Sequence, residues 1–311
     1  MRNPAMTASD LASDRTLPPG LIVNADDLGI HPDINAGILS AYRNGILTSC
    51  TMLMTTAFRA ETVRDYVRPA LLPIGIHLSL TLGQAVAPRD QVPDLVDHEG
   101  NLKLTADRLV LASFKGRSGR DLLDQIGREF AAQLGLARDS GLQPTHADSH
   151  QHVHMNPAIF ALLEDLLPRY GITRLRYAKE RFLAVGSDLP ALMRRNNPAK
   201  WALLRWRSAQ FSPRLATTDD FFGILYSGIM TRRVLMKLIA RTPATCSLEL
   251  CIHPGFPAPA GATFYPRRGY NAFISAPARR TEHDLLTDPE VRELAQRRGL
   301  MLRAFDGRPK T

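Results

Sequence analysis

Short apolar runs rich in branched residues alternate with amphipathic stretches along most of this chain, and that alternation constrains the fold more than any other feature. "GLIVNADD" reads as a strand and "HPDINAGILSAYRNG" as a helix, with Ile34, Ile38 and Leu39 near helical spacing and Gly45 as its stop. "ILTSCTMLM", "AFRAETVRDYVR" and "LPIGIHLSLT" repeat the order strand, helix, strand. Such repetition builds a parallel sheet with crossover helices. The fold class expected is α/β, an irregular (β/α) barrel of the TIM-barrel type. An open dinucleotide-binding sheet is disfavoured, because "NADDLGIHPD" contains no GxGxxG.

The alternation continues through "GRDLLDQIGREFAAQLGLARDSG" as a helix closed by Gly141, "QPTHADSHQHVHMN" as strand and loop, "PAIFALLEDLLPRYG" as a helix and "ITRLRYAKE" as a short strand. "CSLELCIHPG" is a late buried strand, "TDPEVRELAQRRG" a helix started by Thr287 or Asp288, and "LMLRAF" strand-like. Two stretches break the rhythm. Residues 83–118, rich in proline, glycine and charge, are a candidate substrate loop. Residues 182–243, including "AKWALLRWRSAQF" and "DDFFGILYSGIMTRRVLMKLIAR", read as a basic helical insertion. The organisation expected is a flexible lead-in over 1–20 and one domain over 21–311.

No run approaches the roughly 18 to 20 apolar residues that span a bilayer, and the N-terminal stretch lacks the apolar centre of a secretory signal, so a cytoplasmic protein is expected. Cys50, Cys246 and Cys251 sit in apolar surroundings without a CxxC pair, which predicts buried thiols. The formal charge is +9, and residues 171–245 carry fourteen Lys and Arg against four Asp and Glu, so this segment holds the whole excess. No nucleic-acid recognition motif or zinc-finger spacing accompanies that charge, and no nucleic-acid partner is expected.

Chemistry gathers at four strand endings: Asp26 and Asp27, His77, the set His146, Asp148, His150, His152 and His154, and His253. Active sites of parallel β/α proteins collect where strands end. Neighbouring strand residues face opposite sides, so Asp26 and Asp27 share a site only where the strand gives way to its loop, with Gly29 supplying the freedom to turn. Two close carboxylates resist joint ionisation unless a cation intervenes, which suggests that one ligates a metal and the other stays free as a base. One carboxylate and two imidazoles leave a divalent cation open positions for water and substrate. His77 and one histidine of 146–154 complete such a set; His150, His152 and His154 share a face if extended, whereas His146 and His150 have i, i+4 spacing if helical. A lone histidine is more often a hydrogen-bonded core or loop residue, and an acid pair more often a helix cap and turn. Four histidines in nine residues beside the acid pair favour a site.

Together, "NADDLG", "GIHLSLT", "PTHADSHQHVHMNP" and "LELCIHPG" resemble the YdjC-like carbohydrate deacetylases over roughly residues 20–305. The resemblance implies an irregular (β/α) barrel that removes acetyl groups from N-acetylated sugars with one divalent metal ion, zinc or magnesium. It implies Asp27, His77 and His150 as metal ligands and Asp26 as catalytic base. It implies His253 as the acid-side histidine, and His146, His152 and His154 as supporting or substrate-contacting residues. The basic helical segment is similar to the hopanoid-biosynthesis-associated branch, which implies an N-acetylglucosaminyl hopanoid, a lipid-linked sugar, as substrate. Peripheral contact with the inner membrane surface through "AKWALLRWR" and "MTRRVLMKLIAR" follows, since both mix cations with apolar or aromatic residues. The competing expectations are a chitooligosaccharide deacetylase, a metal-dependent glycan-binding protein without turnover, and a metal-dependent phosphoesterase.

Overall fold

The computed structural model describes residues 16–105, 109, 116–183, 196–261, 263–266 and 268–310. Its frame is a six-stranded parallel sheet: β1 (Gly20–Leu28), β2 (Ser49–Met52), β3 (Ile74–Leu78), β4 (Ala147–Ser149), β5 (Asp220–Phe222) and β6 (Ser247–Ile252), in the order β4-β3-β2-β1-β6-β5. Isolated bridges pair Leu175 with Ala147, Arg174 with Ala216 and Glu180 with Phe221, so the 174–180 segment links the two edge strands. The result is a half-barrel whose gap is spanned by irregular chain.

The helices are α1 (Pro32–Asn44), α2 (Gly116–Asp139), α3 (Pro157–Leu166), α4 (Asn197–Ser208), α5 (Arg232–Arg241), α6 (Arg268–Ile274), α7 (Ala278–Thr287) and α8 (Pro289–Arg297). Local chemistry starts several of them. His31, Asn156 and Asp288 each accept a backbone N–H in the first turn, and each is followed by proline, whose missing N–H costs nothing there. The stretch after β2 is helical over Arg59–Ala70 and passes through a π turn at Val63–Val67.

Period-two alternation divides each strand between two environments. Leu21, Val23 and Ala25 of β1, with Leu248 and Leu250 of β6, join the apolar core. The residues between them, Asn24, Asp26 and Glu249, are polar yet buried. Burying them is tolerable only because they bond to one another and to Arg176, as described below.

Several expected elements differ. The span 182–243 is helical at α4 and α5, but "DDFF" contributes β5, paired in parallel with β6. The apolar spacing of Phe221, Phe222, Leu225 and Ile229 imitates a helix, while the register with β6 decides for a strand. Residues 184–195 of that span lie outside the described residues, as do 1–15 of the lead-in and 106–108 and 110–115 of the candidate substrate loop. Leu17, within the expected lead-in, is buried, and Thr16 bridges Thr217. "ITRLRYAKE" and "LMLRAF" make only isolated bridges. Cys50 and Cys251 are buried free thiols, and Cys246 is half-buried.

The basic segment is less of a surface than its charge suggests. Arg176 and Arg207 are buried, Arg214 pairs with Glu164 and Asp165, and Arg232 with Asp288 and Glu290. Val234, Leu235, Leu238 and Ile239 of α5 are buried, so the apolar face of "MTRRVLMKLIAR" belongs to the core. On α4, Leu204 is buried while Leu203 and Trp206 are exposed. No helix among the described residues is long and apolar enough to cross a membrane.

Candidate active site

A cavity of about 360 Å3 opens at the C-terminal ends of the strands. Asp26, Asp27, His77, His150 and His253 line it together with Gln151, His152, Lys200, Ser227, Tyr270 and Phe273. All five residues singled out for metal binding or catalysis therefore meet in one place.

β1 delivers both acids through a break in its own regularity. Asp26 points inward with Asn24. Asp27 takes a left-handed backbone, φ 69°, and the pairing with β2 slips between Ala25 and Leu28. This bulge turns Asp27 into the same cavity. A left-handed aspartate is uncommon, and such strain gathers at functional sites. Gly29, φ 93°, then leads the chain towards α1, as its position predicted.

The neighbouring acids have different partners. Asp26 receives two hydrogen bonds from Arg176, Nη1 to Oδ2 at 2.8 Å and Nη2 to Oδ1 at 2.7 Å. Asn24 Nδ2 and the Cys251 thiol add others at 3.0 and 3.3 Å. Burial alone raises the Asp26 pKa, but the adjacent Arg176 and His77 outweigh it and hold the carboxyl well below the usual range. Among the described residues, Asp27 receives a hydrogen bond only from Arg279 Nη2, at 2.9 Å on Oδ2. Its Oδ1 lies 3.6 Å from His77 Nε2.

Arg176 is fully buried and serves three carboxylates, adding Asp148 at 2.7 Å and Glu249 at 2.7 Å. Asp148 in turn holds His77 Nδ1 at 2.6 Å, and Thr51 Oγ1 donates to Asp148 at 3.0 Å. Burial alone lowers the His77 pKa; the Asp148 and Asp26 charges override it and bring the ring up to about 9. Burial depresses His150 to about 3, so this ring is neutral. Its Nδ1 meets Thr81 Oγ1 at 2.8 Å, and its Nε2 makes no hydrogen bond among the described residues. The His77 and His150 ring centres are 5.9 Å apart.

The four histidines of the "THADSHQHVH" region separate by role. β4 ends at Ser149, and residues 150–155 form a 3-10 segment in which Gln151 and His152 are left-handed. Neither the extended nor the helical spacing applies. The turn carries His150 and His152 into the cavity. His154 is fixed between Ser149 Oγ at 2.6 Å and the Arg176 carbonyl at 3.1 Å. His146 stacks on Phe305 at 3.6 Å and fills the space left by Gly75, where a Cβ would collide with the imidazole. His146 is a packing residue and does not line the cavity. His253 is reached from β6; its backbone N–H donates to Glu282 at 2.6 Å, and its ring packs edge-on to Phe273.

Reading the sequence alone missed Thr51, Arg176, Lys200, Tyr270 and Arg279. Arg176 was hidden among the cations of its segment. A signal existed for Thr51 and Glu249, since each is a polar residue at the inward parity of an otherwise apolar strand. The described part of the candidate substrate loop, residues 83–105, does not line the cavity. It packs against α2 instead, where Glu129 accepts the N–H groups of Val86 and Ala87.

Among the described residues, two sets bring metal-ligand atoms within 4.8 Å of one another: Asp26, His77 and Asp148, and Asp26, Cys251 and His253. In the first, Arg176 already bonds both carboxylates, so a guanidinium supplies the positive charge. Asp27, His77 and His150 are spread more widely, yet each offers an atom without a strong partner: Oδ1, Nε2 and Nε2. Both imidazoles have Nδ1 engaged by an oxygen, which orients the ring and presents Nε2. That donor set suits a divalent cation.

The half-barrel thus gathers acids and imidazoles at its strand ends, where parallel β/α proteins place their active sites. The chain belongs to the YdjC-like protein family, whose model matches residues 20–297. It is 32% identical to a carbohydrate deacetylase of Geobacillus stearothermophilus over 90% of this chain and 95% of that one. It is 30% identical to a chitooligosaccharide deacetylase of Serratia marcescens over 92% and 97%. A crystal structure from Enterococcus faecalis, described as a cellobiose-phosphate cleavage protein, superposes with a TM-score of 0.67 at 24% identity, covering 93% of this chain and 98% of that one. This last likeness supports the fold.

Proposed function

We propose that this protein is a divalent-metal-dependent N-deacetylase of N-acetylglucosamine-containing sugars. The observation that carries the reading is the division of labour between adjacent acids in one cavity, Asp26 locked to Arg176 and Asp27 facing His77 and His150. Sequence relatives named as carbohydrate and chitooligosaccharide deacetylases support the substrate class.

Asp27, His77 and His150 would hold the cation, which when bound would supply positive charge beside the acetamide carbonyl. Asp26 takes the proton of the attacking water, and Arg176 keeps that carboxylate ionised and aimed. His253, on the rim of the same cavity, protonates the departing amine. Asp148 fixes the His77 ring, and Phe273 and Tyr270 wall the cavity.

Within that class, an N-acetylglucosaminyl hopanoid is the substrate we favour, with the protein cytoplasmic and peripheral at the membrane surface. The exposed Trp206 and Leu203 of α4, beside Arg205, support this choice. Acetate release from that lipid and from a soluble chitooligosaccharide, measured in parallel, tests it. Release from the lipid alone supports a lipid-linked substrate, and release from the soluble sugar alone removes the lipid while keeping the deacetylase. Tight sugar binding without release at any metal loading would leave a glycan-binding protein.

A further inference from the structure

The guanidinium groups packed around the cavity are already paired: Arg176 serves three carboxylates and Arg279 bonds Asp27. Lys200 differs. It projects from α4 into the cavity beside His152 and Ser227, and its ammonium makes no hydrogen bond or ion pair among the described residues.

The acids that could neutralise it are committed elsewhere. Asp26 is held by Arg176, and Glu180 accepts the backbone N–H groups of Ile224 and Leu225 at 2.7 and 3.2 Å. Burial pushes the Cys251 thiol well above its usual range, so that side chain is neutral. Lys200 is half-buried, and that burial lowers its pKa by disfavouring the charged form. The neighbouring His152 stands on a left-handed backbone, φ 57°, directly after left-handed Gln151. Two successive non-glycine residues in that region are strained, and both line the cavity with Lys200. The cavity thus presents ammonium donors to its contents, with the counter-charge left for the ligand to bring.

We propose that Lys200 holds the negatively charged oxygen that amide hydrolysis creates in this cavity, first on the acyl carbon and then on acetate. This inference rests on the deacetylase reading. The water oxygen bonds to the acyl carbon, and the carbonyl electron pair moves onto its oxygen, where Lys200 donates. The pair then returns, the C–N bond breaks, and its electrons stay on nitrogen, which gains a proton. Acetate and the free amine result, with no oxidant or reductant consumed. A donor of this kind is worth most in the transition state, so its loss lowers kcat more than it raises KM.

The test compares metal-loaded wild type, Lys200→Met and Lys200→Arg for turnover of a chitooligosaccharide and for binding of sodium acetate by saturation-transfer NMR, with metal content measured in each. The expected result is that Lys200→Met keeps its metal, loses on the order of 10²-fold in kcat and binds acetate about tenfold more weakly. Lys200→Arg, which retains the charge, recovers part of both. Wild-type kcat and wild-type acetate affinity in Lys200→Met overturn the proposal. If wild type releases no acetate from any N-acetyl sugar, the deacetylase reading fails; Lys200-dependent acetate binding in that protein would still uphold the anion site.

Discussion

Asp26 and Asp27 are adjacent in sequence and face one cavity, yet one sits in a saturated half and the other in an open half. Around Asp26, Arg176 joins three carboxylates, and Thr51, Asn24 and Cys251 add further hydrogen bonds, while the carboxylate still lines the cavity. Around Asp27, His77 and His150 present ring nitrogens with no strong partner. The difference follows from backbone geometry. Asp26 keeps the alternation of β1 and points into the barrel, while the left-handed turn at Asp27 brings its carboxylate into the same cavity from a different direction. The saturated half supplies rigidity, and the open half is where a cation and a substrate can enter.

The largest effect is expected in the open half. Asp27→Ala should lose bound metal and fall to background turnover together, as measured by elemental analysis and acetate release. Asp26→Asn should separate the two properties: metal content stays at the wild-type level while kcat drops by roughly 10² to 10⁴, the usual contribution of a general base. Wild-type turnover in Asp26→Asn would remove the base assignment.

Arg176→Met probes the saturated half. It strands buried carboxylates without their cation, and the expected loss is about 3–5 kcal/mol in chemical denaturation. Less than about 1 kcal/mol would show that the network does not hold the barrel interior together. Asp148→Asn is subtler. It weakens the acceptor that orients His77, and metal affinity should fall by about 10 to 100-fold. Unchanged affinity would exclude His77 as a ligand fixed through Asp148.

The smallest effect lies outside both halves. Trp206 is 58% exposed, so Trp206→Ser should change stability by no more than about 0.5 kcal/mol and leave soluble-sugar turnover intact. Reduced binding to anionic phospholipid vesicles in that variant would support α4 as a membrane contact. Unchanged binding would separate the site from any lipid surface.

The open half was more legible in the sequence than the saturated one. Asp26, Asp27, His77 and His253 were readable because each stands in or at the end of an apolar strand, and parallel β/α folds gather such ends; His150 was set apart from its neighbours only by the family resemblance. Arg176 was not, because its partners lie up to 150 positions away in the chain and a cation in a basic segment looks like surface. The separation of His146, a packing residue under Gly75, from His150 depended on a 3-10 turn with two left-handed residues, which spacing does not encode. β5 was misread for a related reason: "DFF" is too short to show a period, and only pairing with β6 gives it direction.

The most direct measurement is acetate release from a chitooligosaccharide by the chelator-stripped protein, before and after restoring zinc or magnesium, with Asp27→Ala in parallel. The account predicts no release without metal, recovery on adding it back, and no recovery in Asp27→Ala. Equal release by the stripped and reloaded proteins, or full metal-dependent activity in Asp27→Ala, would contradict it.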